Sequence, residues 1–193
     1  MREYEVKRKT KETEIEVKLN LDGKLSNSIS TGIGFFDHML NSFAVHSGFG
    51  LDLKCKGDLN VDTHHTVEDV GIVLGTAFGK LTENKEGLAR FGNFTVPMDE
   101  SLASCSVDIS GRPYLVFNAE FTSDKVGDFE TQMVEEFFYA FAMNARLTLH
   151  INLLYGSNDH HKIEAIFKAF AHALKHAVII KNEKNILSTK GSL

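Results

Sequence analysis

Two short motifs carry the chemistry most directly legible in this chain. They are His64-His65-Thr66-Val67-Glu68 and His160-His161-Lys162-Ile163-Glu164, the second shifted by 96 residues from the first. On a helix, residues i and i+4 share a face, so His64 converges with Glu68 and His160 with Glu164. The adjacent histidines, His65 and His161, are turned roughly 100° away, where each can serve a different ion. Imidazole with carboxylate suits borderline divalent metals such as manganese, iron, cobalt or zinc, and disfavours soft thiolate sites. The pattern also differs from the metalloprotease HExxH, in which two histidines at i and i+4 flank a glutamate base. A single HHxxE reads equally well as a solvated helix start; finding it twice, at matching places in a repeat, points to metal. His38 lies 26 residues ahead of the first pair and Glu136 lies 24 ahead of the second. The inferred unit is a duplicated half-site, one His or Glu plus HHxxE.

The elements that must position these residues repeat in the same order, and such self-similarity governs the fold. In the first half, Thr13–Leu21 alternates as a strand and ends at the turn signal Asp22-Gly23. Phe35–His46 follows as a helix with Phe36, Met39, Leu40 and Phe43 on one face, then Phe49–Cys55 as a strand. HHxxE opens an amphipathic helix through Val67, Val70, Val73, Leu74, Ala77, Phe78 and Leu81. In the second half, Ala103–Ile109 and Tyr114–Phe121 read as strands about the turn Ser110-Gly111-Arg112-Pro113. Thr131–Asn144 is a helix, Leu147–Leu153 a strand, and HHxxE opens a helix through Ile163, Ile166, Phe167, Phe170, Leu174 and Val178. The expectation is an α+β protein of two pseudo-repeated halves, residues 1–92 and 93–193, each a sheet covered by helices on one face.

Composition bounds the partners. Apolar residues make up 42% and charged residues 24% of 193, an ordinary globular balance. A formal charge of −5 argues against general nucleic-acid binding, because the one basic patch, Lys7–Lys11, is short and mixed with glutamates. Cys55 and Cys105 lie far apart in alternating runs and read as buried thiols rather than a disulfide. No run approaches the ~20 apolar residues of a membrane helix, and the first residues contain no apolar leader. A cytoplasmic enzyme with no membrane association is the expected setting.

Several further segments join these motifs into a recognisable whole. They are Arg8-Lys-Thr-Lys-Glu12-Thr13, Thr31-Gly-Ile-Gly-Phe-Phe-Asp37-His38-Met-Leu, Asp62-Thr-His64-His65-Thr-Val-Glu68-Asp69 and Pro97-Met-Asp99-Glu100. Ser110-Gly-Arg112-Pro-Tyr, Leu149-His150-Ile, Asn158-Asp-His160-His161-Lys-Ile-Glu164-Ala and Ser188-Thr-Lys190-Gly191 follow in order. Together they closely resemble the imidazoleglycerol-phosphate dehydratase family over essentially the whole chain. The resemblance implies a lyase with two Mn2+ per active site and ferredoxin-like α+β halves. It also implies trimers assembled into a hollow homo-oligomeric 24-mer with interfacial active sites. It places metal ligands at His38, His64, His65, Glu68, Glu136, His160, His161 and Glu164. Many members carry His where this chain has Glu136; a carboxylate still binds manganese, with altered affinity or preference expected.

The chemistry implied is loss of water from a phosphorylated imidazole diol, giving imidazole acetol phosphate in histidine biosynthesis. The hydrogen lost lies on an unactivated carbon, so a metal-bound imidazolate is the expected route for helping to expel the hydroxyl. By the same resemblance Glu12 is the acid/base glutamate, with Glu68 and Glu164 able to assist while ligating. Arg90, Arg112, Ser188 and Lys190 take the phosphate, and His38 and His46 line the pocket. Lys168, one helical turn beyond Glu164, either completes that anion site or lies on the solvated helix face. His150, His172 and His176 read as structural or surface residues. Two rivals remain open at this point: a dinuclear metallohydrolase of a phosphoester, and a metal-storage assembly without turnover.

Overall fold

A computed structural model describes residues 2–23, 25–181 and 186–189. The first half runs β1 (Glu3–Lys9), β2 (Thr13–Asn20), β3 (Ile29–Ser30), α1 (Gly34–Ser47), β4 (Gly50–Gly57) and α2 (His64–Leu81). The second runs β5 (Phe91–Met98), β6 (Ser101–Asp108), β7 (Tyr114–Asn118), β8 (Lys125–Val126), β9 (Phe129–Glu130), α3 (Met133–Ala145), β10 (Thr148–Tyr155) and α4 (Asp159–Ala177). The sheets have orders β1-β2-β4-β3 and β5-β6-β10-β7, so the two halves share one topology apart from the inserted β8–β9 hairpin. In each sheet only the last pair is parallel, β3 with β4 and β7 with β10. The build is the two-layer, repeated α+β architecture expected, but the ferredoxin-like threading is corrected: that hairpin aside, each half runs β-β-β-α-β-α, with three strands before the first helix, and not β-α-β-β-α-β. The strands flanking Ser110–Pro113 are not neighbours in the sheet, because β10 lies between β6 and β7.

The helices form the middle of the molecule. Helix α2 packs on β1, β2 and β4, and α4 on β5, β6 and β10; across the halves α2 meets α3, and α1 meets α4. Alternation explains the sheet faces: Ile15, Val17 and Leu19 of β2 are buried while Glu14 and Glu16 between them are exposed. Phenylalanines weld the helical layer, with Phe43 stacked on Phe170 at 5.5 Å and Phe36 edge-on to Phe137 at 5.4 Å. Each such ring, fully buried, contributes roughly 1.5–3 kcal/mol. The α2–α3 contact is closest where Gly71, Gly75 and Gly79 face the backbone of α3. A Cβ on Gly75 would lie 2.6 Å from the Phe141 carbonyl oxygen. Glycine is the residue that allows this approach.

Candidate functional site

Both histidine pairs stand at helix starts, and an Asx side chain explains why. Asp62 Oδ1 accepts from the His64 amide, while Asn158 Oδ1 accepts from the His160 and His161 amides. These bonds satisfy donors that the first turn of a helix leaves unpaired. The segment around the β8–β9 hairpin then ties three helix starts together. Asp128 accepts from the Gly34 and Phe35 amides of α1, Glu130 accepts from Thr63 Oγ1 ahead of α2, and the Thr122 and Ser123 amides donate to Asp159 of α4. His38, His64, His65, His160 and His161 all lie within or beside these anchored turns.

The tightest convergence of donor atoms draws on both halves. Ligand atoms of His38, His160 and Glu164 lie within 4.8 Å of one another, the one such group among the described residues. His38 Nε2 is 3.7 Å and His160 Nε2 3.3 Å from Glu164 Oε2. Burial opposes ionisation of Glu164, but Lys168 Nζ at 2.7 Å, helped by the two histidines, holds its carboxyl below the usual range. The matching first-half pair is looser: His64 Nε2 is 3.5 Å from Glu68 Oε2, with both side chains near half exposed. Glu136 is half-buried in the first turn of α3 and does not complete a comparably tight group with them among the described residues.

His65 and His161 turn elsewhere, as the helical spacing requires, and each meets carboxylates on both sides of its ring. His65 Nδ1 lies 3.0 Å from Asp58 Oδ2, with Nε2 3.7 Å from Glu12 Oε1. His161 Nδ1 lies 2.7 Å from Glu100 Oε2, with Nε2 3.6 Å from Asp99 Oδ2. The bonds to Asp58 and Glu100 raise both imidazoles above their ordinary range, and the Glu100 carboxyl is held far below its own. Asp58, Asp99 and Glu100 were not singled out by spacing. Asp58 lies in the loop ahead of α2, outside the helix that carries His65, and Glu100 stands sixty-one residues from His161, so no periodicity along one element joins either pair.

The remaining candidates lie along α1, α4 and the sheet edge. His46 Nδ1 is 3.2 Å from His172 Nε2, and His172 stacks on Phe94 at 4.5 Å. His172 thus touches a candidate pocket residue although its spacing read as structural. Burial first, then the Lys168 charge, pushes His46 below the usual imidazole range. Lys168 Nζ also lies 3.3 Å from Met98 Sδ. Arg90 pairs with Asp108 through Nε at 2.6 Å and Nη2 at 3.0 Å, and its Nη1 donates to the Leu187 carbonyl. That last bond brings the segment carrying Ser188 to Arg90. Arg112 is two-thirds exposed, 3.9 Å from the same Asp108. Lys190 lies outside the described residues.

Comparison with known proteins decides what this arrangement belongs to. The family profile described as imidazoleglycerol-phosphate dehydratase matches residues 31–174. The chain belongs to the imidazoleglycerol-phosphate dehydratase family. It is 56% identical to the imidazoleglycerol-phosphate dehydratase of Oceanobacillus iheyensis, with all of both chains covered. It is 59% identical to that of Caldanaerobacter subterraneus, again over both full lengths. The crystal structure of imidazoleglycerol-phosphate dehydratase from Staphylococcus aureus superposes with a TM-score of 0.85 at 45% identity, covering 93% of this chain and 99% of that one. The enzyme from Pyrococcus furiosus, solved in complex with (S)-C348, gives 0.82 at 39% identity, covering 97% and 100%. The chain is therefore a hydro-lyase of histidine biosynthesis, with the family's repeated α+β fold.

Proposed function

We propose that the chain removes water from imidazoleglycerol phosphate to give imidazole acetol phosphate, using two manganese ions per active site. The observation that carries the metal reading is the convergence of His38, His160 and Glu164, two imidazoles and a carboxylate within 4.8 Å. This nitrogen–oxygen donor set fits manganese or a neighbouring divalent metal. His64 and Glu68 of the first half, with Glu136 of the second, are the proposed counterpart, and His65 and His161 offer further imidazole nitrogens. When bound, the ions supply Lewis acidity toward the substrate imidazole, which assists departure of a hydroxyl from an unactivated carbon.

The chain's own residues do the remaining work. Glu12 Oε1 beside His65 moves the substrate proton, while Glu68 and Glu164 assist from the ligand set. Arg112, Lys168, Ser188 and Lys190 take the phosphate, with Arg90 held by Asp108 at the same edge; His38 and His46 line the pocket. We further propose that trimers assemble into a 24-mer of identical chains with active sites between subunits, in the cytoplasm. Charge supports the absence of a nucleic-acid partner. No helix among the described residues is long and apolar enough to cross a membrane.

The test is to strip metal with chelator, then add imidazoleglycerol phosphate with and without Mn2+ and follow products by mass spectrometry. Loss of one water with phosphate retained, strictly dependent on metal, is expected. Release of inorganic phosphate would favour a metallohydrolase. Metal uptake with no turnover in the assembled protein would favour storage.

A further inference from the structure

The geometry points to Asp58 and Glu100 as paired positioning residues that fix the Nδ1–H tautomer of His65 and His161 and so reserve Nε2 for a metal. This inference rests on the metal reading above, but its argument is separate. An ionised carboxylate only accepts hydrogen bonds. A ring nitrogen 3.0 Å from Asp58 Oδ2, or 2.7 Å from Glu100 Oε2, must therefore carry the proton. In a neutral imidazole that leaves the lone pair on Nε2, and the carboxylate makes that nitrogen a better donor. It also holds the ring plane, which adjacent histidines at a solvent-facing helix start would otherwise not share.

The two halves reach this result from different places in the chain, which is the reason to read it as function rather than inherited packing. Asp58 immediately follows β4, whereas Glu100 belongs to the β5–β6 turn. Glu12 immediately precedes β2, as Glu100 precedes β6, so Glu100 is the positional counterpart of Glu12. Yet Glu12 faces Nε2 of His65, while Glu100 holds Nδ1 of His161. The repeat has exchanged which element supplies the carboxylate and kept a carboxylate on Nδ1 in both halves. Glu100 has a second task, since its Oε1 also accepts from the Ser157 and Asn158 amides. Asp58 has no other side-chain bond among the described residues apart from that to His65, which makes it the cleaner variant.

The experiment is isothermal titration of the metal-free protein with Mn2+ at fixed pH, comparing wild type with Asp58→Asn and Glu100→Gln. Each variant keeps an oxygen acceptor but loses the charge. Removing such outer partners typically weakens metal binding roughly 10- to 100-fold, and that loss is expected here. Thermal unfolding of metal-free Asp58→Asn should match wild type, which separates positioning from structural support. If Glu100→Gln fails to fold, Asp58→Asn decides the matter. Wild-type affinity in folded Asp58→Asn overturns the inference and leaves the metal reading standing. Absence of Mn2+ binding by wild type overturns both.

Discussion

Asp159 shows how much one residue beside the site contributes to holding it. Its carboxylate is almost fully buried, accepts from Thr122 and Ser123, and lies 2.7 Å from Lys162 Nζ, which is equally buried. Burial favours the neutral acid, but Lys162 and the two amides outweigh it and bring the pKa down to about 2. A carboxyl whose folded pKa is depressed stabilises the fold above its unfolded pKa, near 4. That stabilisation is lost as pH falls toward 2. The size is on the order of 2 kcal/mol. Asp159→Asn should therefore lower the unfolding free energy at pH 7, and the gap from wild type should hold to pH 5 and narrow below pH 4. Denaturant titrations at pH 7, 5 and 3.5 measure it, and an equal gap at all three would contradict the assignment. Its neighbours His160 and Glu164 were legible because i and i+4 is a local rule. Asp159 was not, since its partners Thr122 and Ser123 are brought to it only by the tertiary fold.

At the scale of elements, the β8–β9 segment and the α2 glycines decide where the helices carrying the proposed ligands sit. Helix α1 has no N-terminal side-chain cap of its own, because Ile33 precedes it; Asp128 from the hairpin segment accepts the Gly34 and Phe35 amides instead. Asp128→Ala should cost about 1 kcal/mol, as loss of a helix cap does, and should loosen His38, seen as weaker Mn2+ binding in calorimetry. Unchanged stability and affinity would show that the hairpin is not holding α1. Gly75 poses two effects of opposite sign. Alanine is the better helix former by about 1 kcal/mol, but its Cβ would meet the Phe141 carbonyl oxygen at 2.6 Å and Cα at 3.0 Å. Forcing two backbones apart typically costs 1–3 kcal/mol, so Gly75→Ala should lower the thermal midpoint; a rise would mean α3 yields freely. Most elements were legible from period, including all four helices. Strand β1 was not, because Glu3, Glu5, Lys7 and Lys9 give an edge strand little apolar signal beyond half-buried Val6. Strand β5 also escaped, its Phe91, Asn93, Thr95 and Pro97 facing outward. The insertion of β10 between β6 and β7 is a long-range pairing that no local pattern encodes.

The whole molecule raises the question of where a complete active site lies. His38, His160 and Glu164 converge within one chain, whereas His65 and His161 face their own carboxylates and join no such group among the described residues. If all eight ligands serve two ions, His65 and His161 need partners that their own chain does not bring together among the described residues, and another copy of the chain can supply them. That need agrees with the proposed assembly, in which each site is shared. The reading has a quantitative consequence for mixed particles. His38→Ala removes the converged set and His65→Ala the outward-facing one, so each variant assembled by itself should be inactive. Co-assembled in equal amounts, a site joining one set from each of two chains receives both intact sets about one time in four. About a quarter of wild-type activity should therefore return, in particles shown by native mass spectrometry to contain both variants. Mixed particles that stay inactive would mean that both sets serve the same chain, because then no subunit in the mixture carries a whole site.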